Sequence, residues 1–304
     1  MTIHSPLSGS DDLKLLKSIK TSKLISDWKH FFQIDISNEL DQYSEIYLYQ
    51  CNKTKIQFFV PNNIFGSDKL YEQLEKFDWY YMPRKWEHEI ALQDLSGCRK
   101  VLEVGCGRGA FVERMCKENK LEAQGIELNS NAVKYAQNRG IPVSSYDLYN
   151  FAEMEKHTFD AVCTFQVLEH VPNPKDFLEA LTHLIKPGGK LIISVPNSES
   201  FPKYLENHLL DQPPHHMTRW CKQTFECISH ILPIQLKRTE VEPLAKYHVS
   251  WYLDAHLSRF IKSPSIKRIA FQPLKLTIKP TLENFASIRN LFLGHTIYAC
   301  FEKK

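Results

Sequence analysis

Glu103-Val-Gly105-Cys106-Gly107-Arg-Gly109 puts a carboxylate two residues ahead of a glycine turn, directly after the apolar run Val101, Leu102, Val104. A strand that opens through glycines into a helix offers free backbone N–H groups and lets a ligand approach the backbone closely. Glu127 stands 22 residues beyond Gly105, where a carboxylate can hydrogen-bond a ribose diol. Two histidine sites could move protons near neutral pH: His170 in QVLEHVPNP, and His215-His216 in DQPPHHMTRW.

Gly105-x-Gly107-x-x-Ala110 satisfies the dinucleotide fingerprint literally, so an NAD oxidoreductase is one reading. Glu103 argues against it. A pyrophosphate at the helix N-terminus would meet a like charge in a partly desolvated site. A ligand carrying an ammonium and a sulfonium would be attracted instead, and S-adenosylmethionine is such a ligand.

The elements that must hold these residues follow from the pattern. VLEV, QGIEL (124–128), IPVSSYDL (141–148), FDAVCTF (159–165) and LIISV read as strands, with helical segments between them. Ser130 reads as an N-cap and Gly140 as a C-terminal stop. Asn173 and Pro174 open a helix that runs to Pro187-Gly188-Gly189. IQLKRTEVEPL (234–244) and HTIYACFEK (295–303) supply a final pair of strands. Alternating strands and helices predict an α/β fold, a doubly wound, mostly parallel Rossmann-like sheet.

VLEVGCGRGAF, GIELN, the DL of SSYDL, FDAVCTFQVLEHVPNP and LIKPGGKLIISVPN occur in the order that resembles class I S-adenosylmethionine-dependent methyltransferases. The likeness is nearest the branch of ubiquinone-biosynthesis-type and sugar- or natural-product-modifying enzymes. It covers residues 98–200 well and the remainder poorly. It implies that Gly105, Cys106 and Gly107 line the methionine part and that Glu103 contacts its amine. Glu127 would hold the ribose hydroxyls, Asp147 and Leu148 would frame the adenine, and Phe165 and Gln166 would line the inner side of the cofactor. Related enzymes can carry E-x-x-E-H and a later histidine before Thr-Arg, with a divalent metal bound. Here Gln166 replaces the first carboxylate, and an amide is a poorer ligand for a hard cation. The expectation is therefore no metal, with Glu169, His170 and one loop histidine as a three-ligand alternative.

Three segments are expected: an appendage of helices and a β-hairpin over residues 1–85, a cofactor-binding core over 86–200, and a substrate-loop region with the final strands over 201–304. Residues 1–10 read as a loose tail. Residues 11–32 read as one or two amphipathic helices, from Leu13, Leu16, Ile19, Leu24 and Trp28. EIYLYQCNKTKIQFFV (45–60) reads as a hairpin, and 67–77 as a helix. The hairpin is similar to a zinc-ribbon appendage of some sugar methyltransferases, but Thr54 stands where a second cysteine would pair with Cys51. WYYMPRKWEHE could close over the cofactor as an aromatic lid or simply pack the appendage on the core, which could equally serve a homodimer.

The formal charge of +3 in 304 residues gives no general case for nucleic acid. Eight scattered cysteines without a C-x-x-C pair suit a reduced, cytoplasmic protein. No apolar run approaches a membrane span, and no signal segment opens the chain. Residues 255–282 hold six basic residues and no acid, a stretch that could follow a nucleic-acid backbone or touch an anionic surface. A solvated face is the commoner meaning of such a run. The activity expected is O-methylation of a small-molecule or glycosidic hydroxyl, with His170 or the His215/His216 pair as base. The alternatives are a metal-assisted ribose 2′-O-methyltransferase acting on RNA, and a non-catalytic S-adenosylmethionine-binding partner protein.

Overall fold

The computed structural model describes residues 2–77, 79–205 and 208–304. The N-terminal part is a small antiparallel sheet. β1 (Leu13–Lys20) pairs with β2 (Glu45–Cys51), and β2 pairs with β3 (Gln57–Val60). The helices Thr21–Phe32 and Asp68–Leu74 pack around a core of Leu24, Trp28, Ile46, Leu48, Phe59 and Leu70. Ser67 caps the second helix by accepting a hydrogen bond from the Leu70 amide at 3.3 Å.

Two expectations for the N-terminus need correction. Residues 13–20 form a strand, not a helix: Leu15 and Leu16 are exposed, so no core draws them into helical register. Lys14, Lys17 and Lys20 lie along this sheet edge, a position where lysine discourages further strand pairing. Nor do residues 2–10, the described part of the expected loose tail 1–10, hang free, because Leu7 is fully buried in the main core.

The main sheet contains β4 (Lys100–Val104), β5 (Glu122–Ile126), β6 (Val143–Ser144), β7 (Phe159–Phe165) and β8 (Ile185–Pro196). β9 (Thr218–Arg219) leaves this region to join β3 of the small sheet. β10 (Ile234–Pro243) and β11 (Leu293–Lys303) complete the large sheet in the order β10-β11-β8-β7-β4-β5-β6. β4 through β8 are parallel, while β11 is antiparallel to both neighbours. The expected α/β doubly wound sheet is present.

Strand alternation divides the core into two layers. Leu102, Val162, Leu191 and Phe301 face one side, and Val101, Cys163, Ile192 and Cys300 face the other. The chain leaves β4 toward β5 and β6 on one side, whereas β7 and β8 lie on the other. The crevice beyond the carboxyl ends of β4 and β7 is thus a topological switch point, where open α/β sheets bind ligands.

Local details differ from the sequence reading at three places. Asn129, not Ser130, is the N-cap of the helix Ser130–Asn138, accepting from the Asn131 and Ala132 amides. Both residue types cap well, so type alone did not choose between them. The third strand shrinks to two residues because Asp147 starts a helix at Leu148. The helix beginning at Pro174 ends at Leu184, and Ile185 already pairs with Phe159.

Candidate functional site

A cleft of about 1600 Å3 opens above the switch point, and every candidate site residue named from the sequence lines it. The turn after β4 holds Gly105 and Gly107 at φ +72° and +52°, backbone that favours glycine. A Cβ on Gly105 would lie 2.4 Å from Val167 Cγ2, and one on Gly107 would lie 2.7 Å from Tyr81 Cε1. The turn therefore needs glycine for conformation and for close approach. Cys106 contributes backbone, since its thiol packs beside Gly125 in the core.

Glu127 is held by two backbone amides, accepting from Gly107 N and from Asn129 N, each at 2.8 Å. These contacts fix its carboxylate at the cleft edge, beside the turn. Glu103 stands in contrast. It is buried, and its Oε2 has no hydrogen-bond partner. Burial pushes its carboxyl up to about 8, with Lys85 drawing it down and Glu127 raising it. A buried carboxyl with an unpartnered oxygen, below a turn that lies open to the cleft, suits a ligand bringing an ammonium. Asp147 is exposed and caps the following helix, accepting from the Tyr149 and Asn150 amides at 3.0 Å. Leu148 is buried behind it. Phe165 packs against Phe111 and His88 beneath the cleft. Gln166 takes φ +57° and donates to Glu87 Oε1 at 3.2 Å.

The opposite wall carries the histidines. His170 follows β7, and the segment from His208 to Thr218 brings His215 and His216 against it, ring centroids 4.6 and 4.9 Å away. The Met217 amide donates to the Glu169 carbonyl at 2.8 Å, tying the two segments together. Each imidazole has its Nδ1 committed to an oxygen. His170 donates to the His215 carbonyl at 2.6 Å, His215 to the Leu210 carbonyl at 2.8 Å, and His216 to Asp211 Oδ1 at 3.2 Å. Carbonyls and carboxylates only accept, so Nδ1 carries the proton and Nε2 keeps its lone pair. Arg219 Nε anchors Asp211 in turn, 2.9 Å from Oδ2.

One ligand atom from each of His170, His215 and His216 falls within 4.8 Å of the others, and the buried His215 Nε2 has no partner. Burial is the main cause of their depressed basicity: His170 is pushed down to about 4, and the loop pair well below the ordinary value. Glu169 adds a carboxylate, with Oε1 4.0 Å from His170 Nε2 and Oε2 without a partner. Its buried carboxyl is raised to about 8.

Some lining residues had no individual signal in the sequence. Tyr71 meets His170 edge-on at 5.7 Å and Tyr80 lies 6.4 Å from His215, while the fully buried Trp28 packs 6.4 Å from the same His215 ring. Tyr71 and Tyr80 belong to the N-terminal part, so the appendage builds one wall of the cleft. Tyr81 lies over Gly107, within the aromatic stretch read as a lid, and Arg108 lies over its ring at 5.1 Å. A second imidazole group, His208, His248 and His295, surrounds Trp251 at ring distances of 4.8 to 5.1 Å. These residues come from three distant segments and leave no local pattern.

A family model described as a methyltransferase domain matches residues 49–238. Ubiquinone biosynthesis O-methyltransferases are among the similar curated proteins. That of Neisseria meningitidis serogroup C is 31% identical over 153 residues, covering 48% of this chain and 62% of the relative. That of Xanthomonas oryzae pv. oryzae is 36% identical over 121 residues, covering 38% and 50%. The chain thus spans less than two thirds of the length of these relatives. A S-adenosylmethionine-dependent methyltransferase from Thermotoga maritima shares the fold at TM-score 0.50 and 15% identity, over 78% of this chain and 98% of that one. The switch-point cleft, the glycine turn and the family match lead to one assignment: the chain belongs to the methyltransferase-domain family and has the Rossmann-like fold of class I S-adenosylmethionine-dependent methyltransferases.

Proposed function

We propose that the chain methylates the oxygen of a hydroxyl on a small-molecule or glycosidic acceptor, with His170, His215 and His216 taking part in removal of the hydroxyl proton. The observation that carries this reading is the convergence of three buried imidazoles, each with its Nδ1 held by an oxygen and each offering one ligand nitrogen within 4.8 Å of the others. The printed names of the curated relatives, O-methyltransferases, support oxygen as the acceptor atom.

Glu103 would meet the cofactor's ammonium, Gly105 and Gly107 would admit its methionine part, Glu127 would hold the ribose, and Asp147 with Leu148 would frame the adenine. S-adenosylmethionine supplies an electrophilic methyl group already bonded to a good leaving sulfur. The work left to the chain is to align the acceptor oxygen, exclude water and accept the proton at an imidazole Nε2.

The depressed basicity of these rings favours a second reading of the same site. A weak base is a poor match for a hydroxyl proton, whereas three neutral Nε2 atoms with Nδ1 held by oxygens are ordinary ligands for a divalent first-row metal. Glu169, His170, His215 and His216 would hold it, and such an ion lowers the pKa of a bound hydroxyl.

The test is methyl transfer from labelled donor onto a panel of phenols, catechols and glycosides. The double substitution His215→Ala/His216→Ala should lower turnover about 100-fold or more. Affinity for S-adenosylhomocysteine should stay near wild type. Unchanged turnover would overturn both readings. Turnover that survives chelator supports the imidazole base, whereas turnover lost to chelator and restored by zinc or manganese supports the metal.

A further inference from the structure

The helices after β10 lie beyond the family-matched region and carry a surface that the methyltransferase reading does not use. The helix Pro264–Leu276 packs on Val249–Phe260 through Phe271 and Leu274, which contact a small core including Leu253 and Ala255. Lys267 ties the two helices together, 3.1 Å from Asp254. That accounts for one face.

The opposite face is also apolar. Ile266, Ile269, Pro273 and Leu276 recur at intervals of three and four residues, the spacing of one helix stripe, and all are exposed to solvent. Ile269 is 73% and Leu276 80% exposed, and Phe260, ending the preceding helix, is 76% exposed. Arg268 and Lys275 are exposed beside the stripe. With Lys267, they line a groove of about 300 Å3 whose only carboxylate is Asp254. Residues 255–282 contain no acid.

We infer that this stripe, with Arg268 and Lys275, docks the enzyme on an anionic phospholipid surface. An exposed aliphatic stripe flanked by cations is the chemistry of a helix lying in a membrane interface. The side chains would enter the headgroup boundary while the cations meet lipid phosphates. Other occupants fit less well. RNA is held by phosphate contacts and by aromatic rings that stack successive bases, and the stripe Ile266, Ile269, Pro273, Leu276 is aliphatic, with Phe260 the one exposed ring at its end. A second copy bringing the same face would set Arg268 and Lys275 against their own counterparts.

The experiment is co-sedimentation of the full chain with vesicles of pure phosphatidylcholine and of phosphatidylcholine with 30% phosphatidylglycerol. Partition onto the anionic vesicles at low salt, weakened by added salt, is expected. Arg268→Ala/Lys275→Ala should weaken that partition about 30-fold, from about 1 kcal/mol for each cation near the surface. Ile269→Asp/Leu276→Asp should weaken it at least as much. An Ile269→Trp variant should shift its emission to the blue only with anionic vesicles, which keeps the test decisive should the aspartate variant fold poorly. The inference falls if the chain stays in the supernatant with anionic vesicles at low salt. It falls equally if both double variants bind like wild type, or if single-stranded RNA is retained and vesicles are not.

Discussion

The two walls of the cleft are built in opposite ways. The cofactor wall is local: β4, the glycine turn, Glu127 and the cap at Asp147 all lie between residues 100 and 150, and most of their polar atoms are satisfied by nearby backbone amides. The acceptor wall is assembled from the N-terminal helix and aromatic segment, the turn after β7 and the loop from His208 to Thr218. It keeps buried polar atoms unpartnered, among them Glu169 Oε2, His208 Nδ1 and His215 Nε2. Leaving such groups unsatisfied costs about 1–3 kcal/mol each. A surface that holds several in one cleft is shaped for ligand chemistry more than for stability. Glu103 belongs by sequence to the first wall but by its unpaired Oε2 to the second.

The hardest test of this contrast strikes the local wall. Gly105→Ala adds a Cβ at φ +72°, 2.4 Å from Val167 Cγ2. It should cost about 1–3 kcal/mol of stability, read by chemical denaturation. It should also weaken S-adenosylhomocysteine more than about tenfold by calorimetry, because the turn must move. Wild-type affinity in this variant would show that the cofactor does not depend on that turn.

A smaller effect lies where the walls meet. With its carboxyl raised to about 8, Glu103 holds its proton at pH 7 in the free protein. A ligand ammonium favours the ionised form, so binding below pH 8 must release a proton. Affinity for S-adenosylhomocysteine should therefore rise with pH, by at most about tenfold per unit, and level off above pH 8. Glu103→Gln should remove that slope together with the proton release seen in buffers of different ionisation enthalpy.

Stability without ligand has two opposed pH terms in the same cleft. Glu103 and Glu169, raised from 4.5 to about 8, contribute stability that is fully present below pH 4.5 and lost as pH rises through 8. His170, lowered from 6.5 to about 4, contributes stability that is present above pH 6.5 and lost as pH falls through 4. Thermal melts of His170→Asn should lose part of the acid-side slope. An unchanged acid limb would mean that this ring is not buried in the neutral form.

How much of this was legible follows the same division. FDAVCTF reads as a strand from its mostly apolar run, broken only by Asp160 and Thr164, and forms β7 over Phe159–Phe165. The glycine turn is legible because the conformation itself demands glycine at 105 and 107. LKLLKSIK has leucines at helical spacing, yet it forms an edge strand paired with β2, where long-range hydrogen bonds override local periodicity. The acceptor wall was legible only as residue types. His170 and His215 are 45 positions apart, and no pattern along the chain foretells that the His215 carbonyl receives the His170 Nδ1 proton. Nor does spacing reveal that both loop histidines, rather than one, turn inward against His170.

Asp147 is where the two kinds of reading can be separated most finely. Its resemblance role is to frame the adenine, whereas its observed contacts are those of an N-cap, with Oδ1 taken by two amides. Asparagine caps about as well as aspartate, and alanine loses about 1 kcal/mol. Asp147→Asn should therefore melt like wild type, while Asp147→Ala should melt a few degrees lower. If the carboxylate also meets the adenosine, both variants should bind S-adenosylhomocysteine severalfold more weakly. Equal affinity of Asp147→Asn and wild type would leave Asp147 as a cap alone and assign the adenine's position to the apolar wall at Leu148 and the backbone around it.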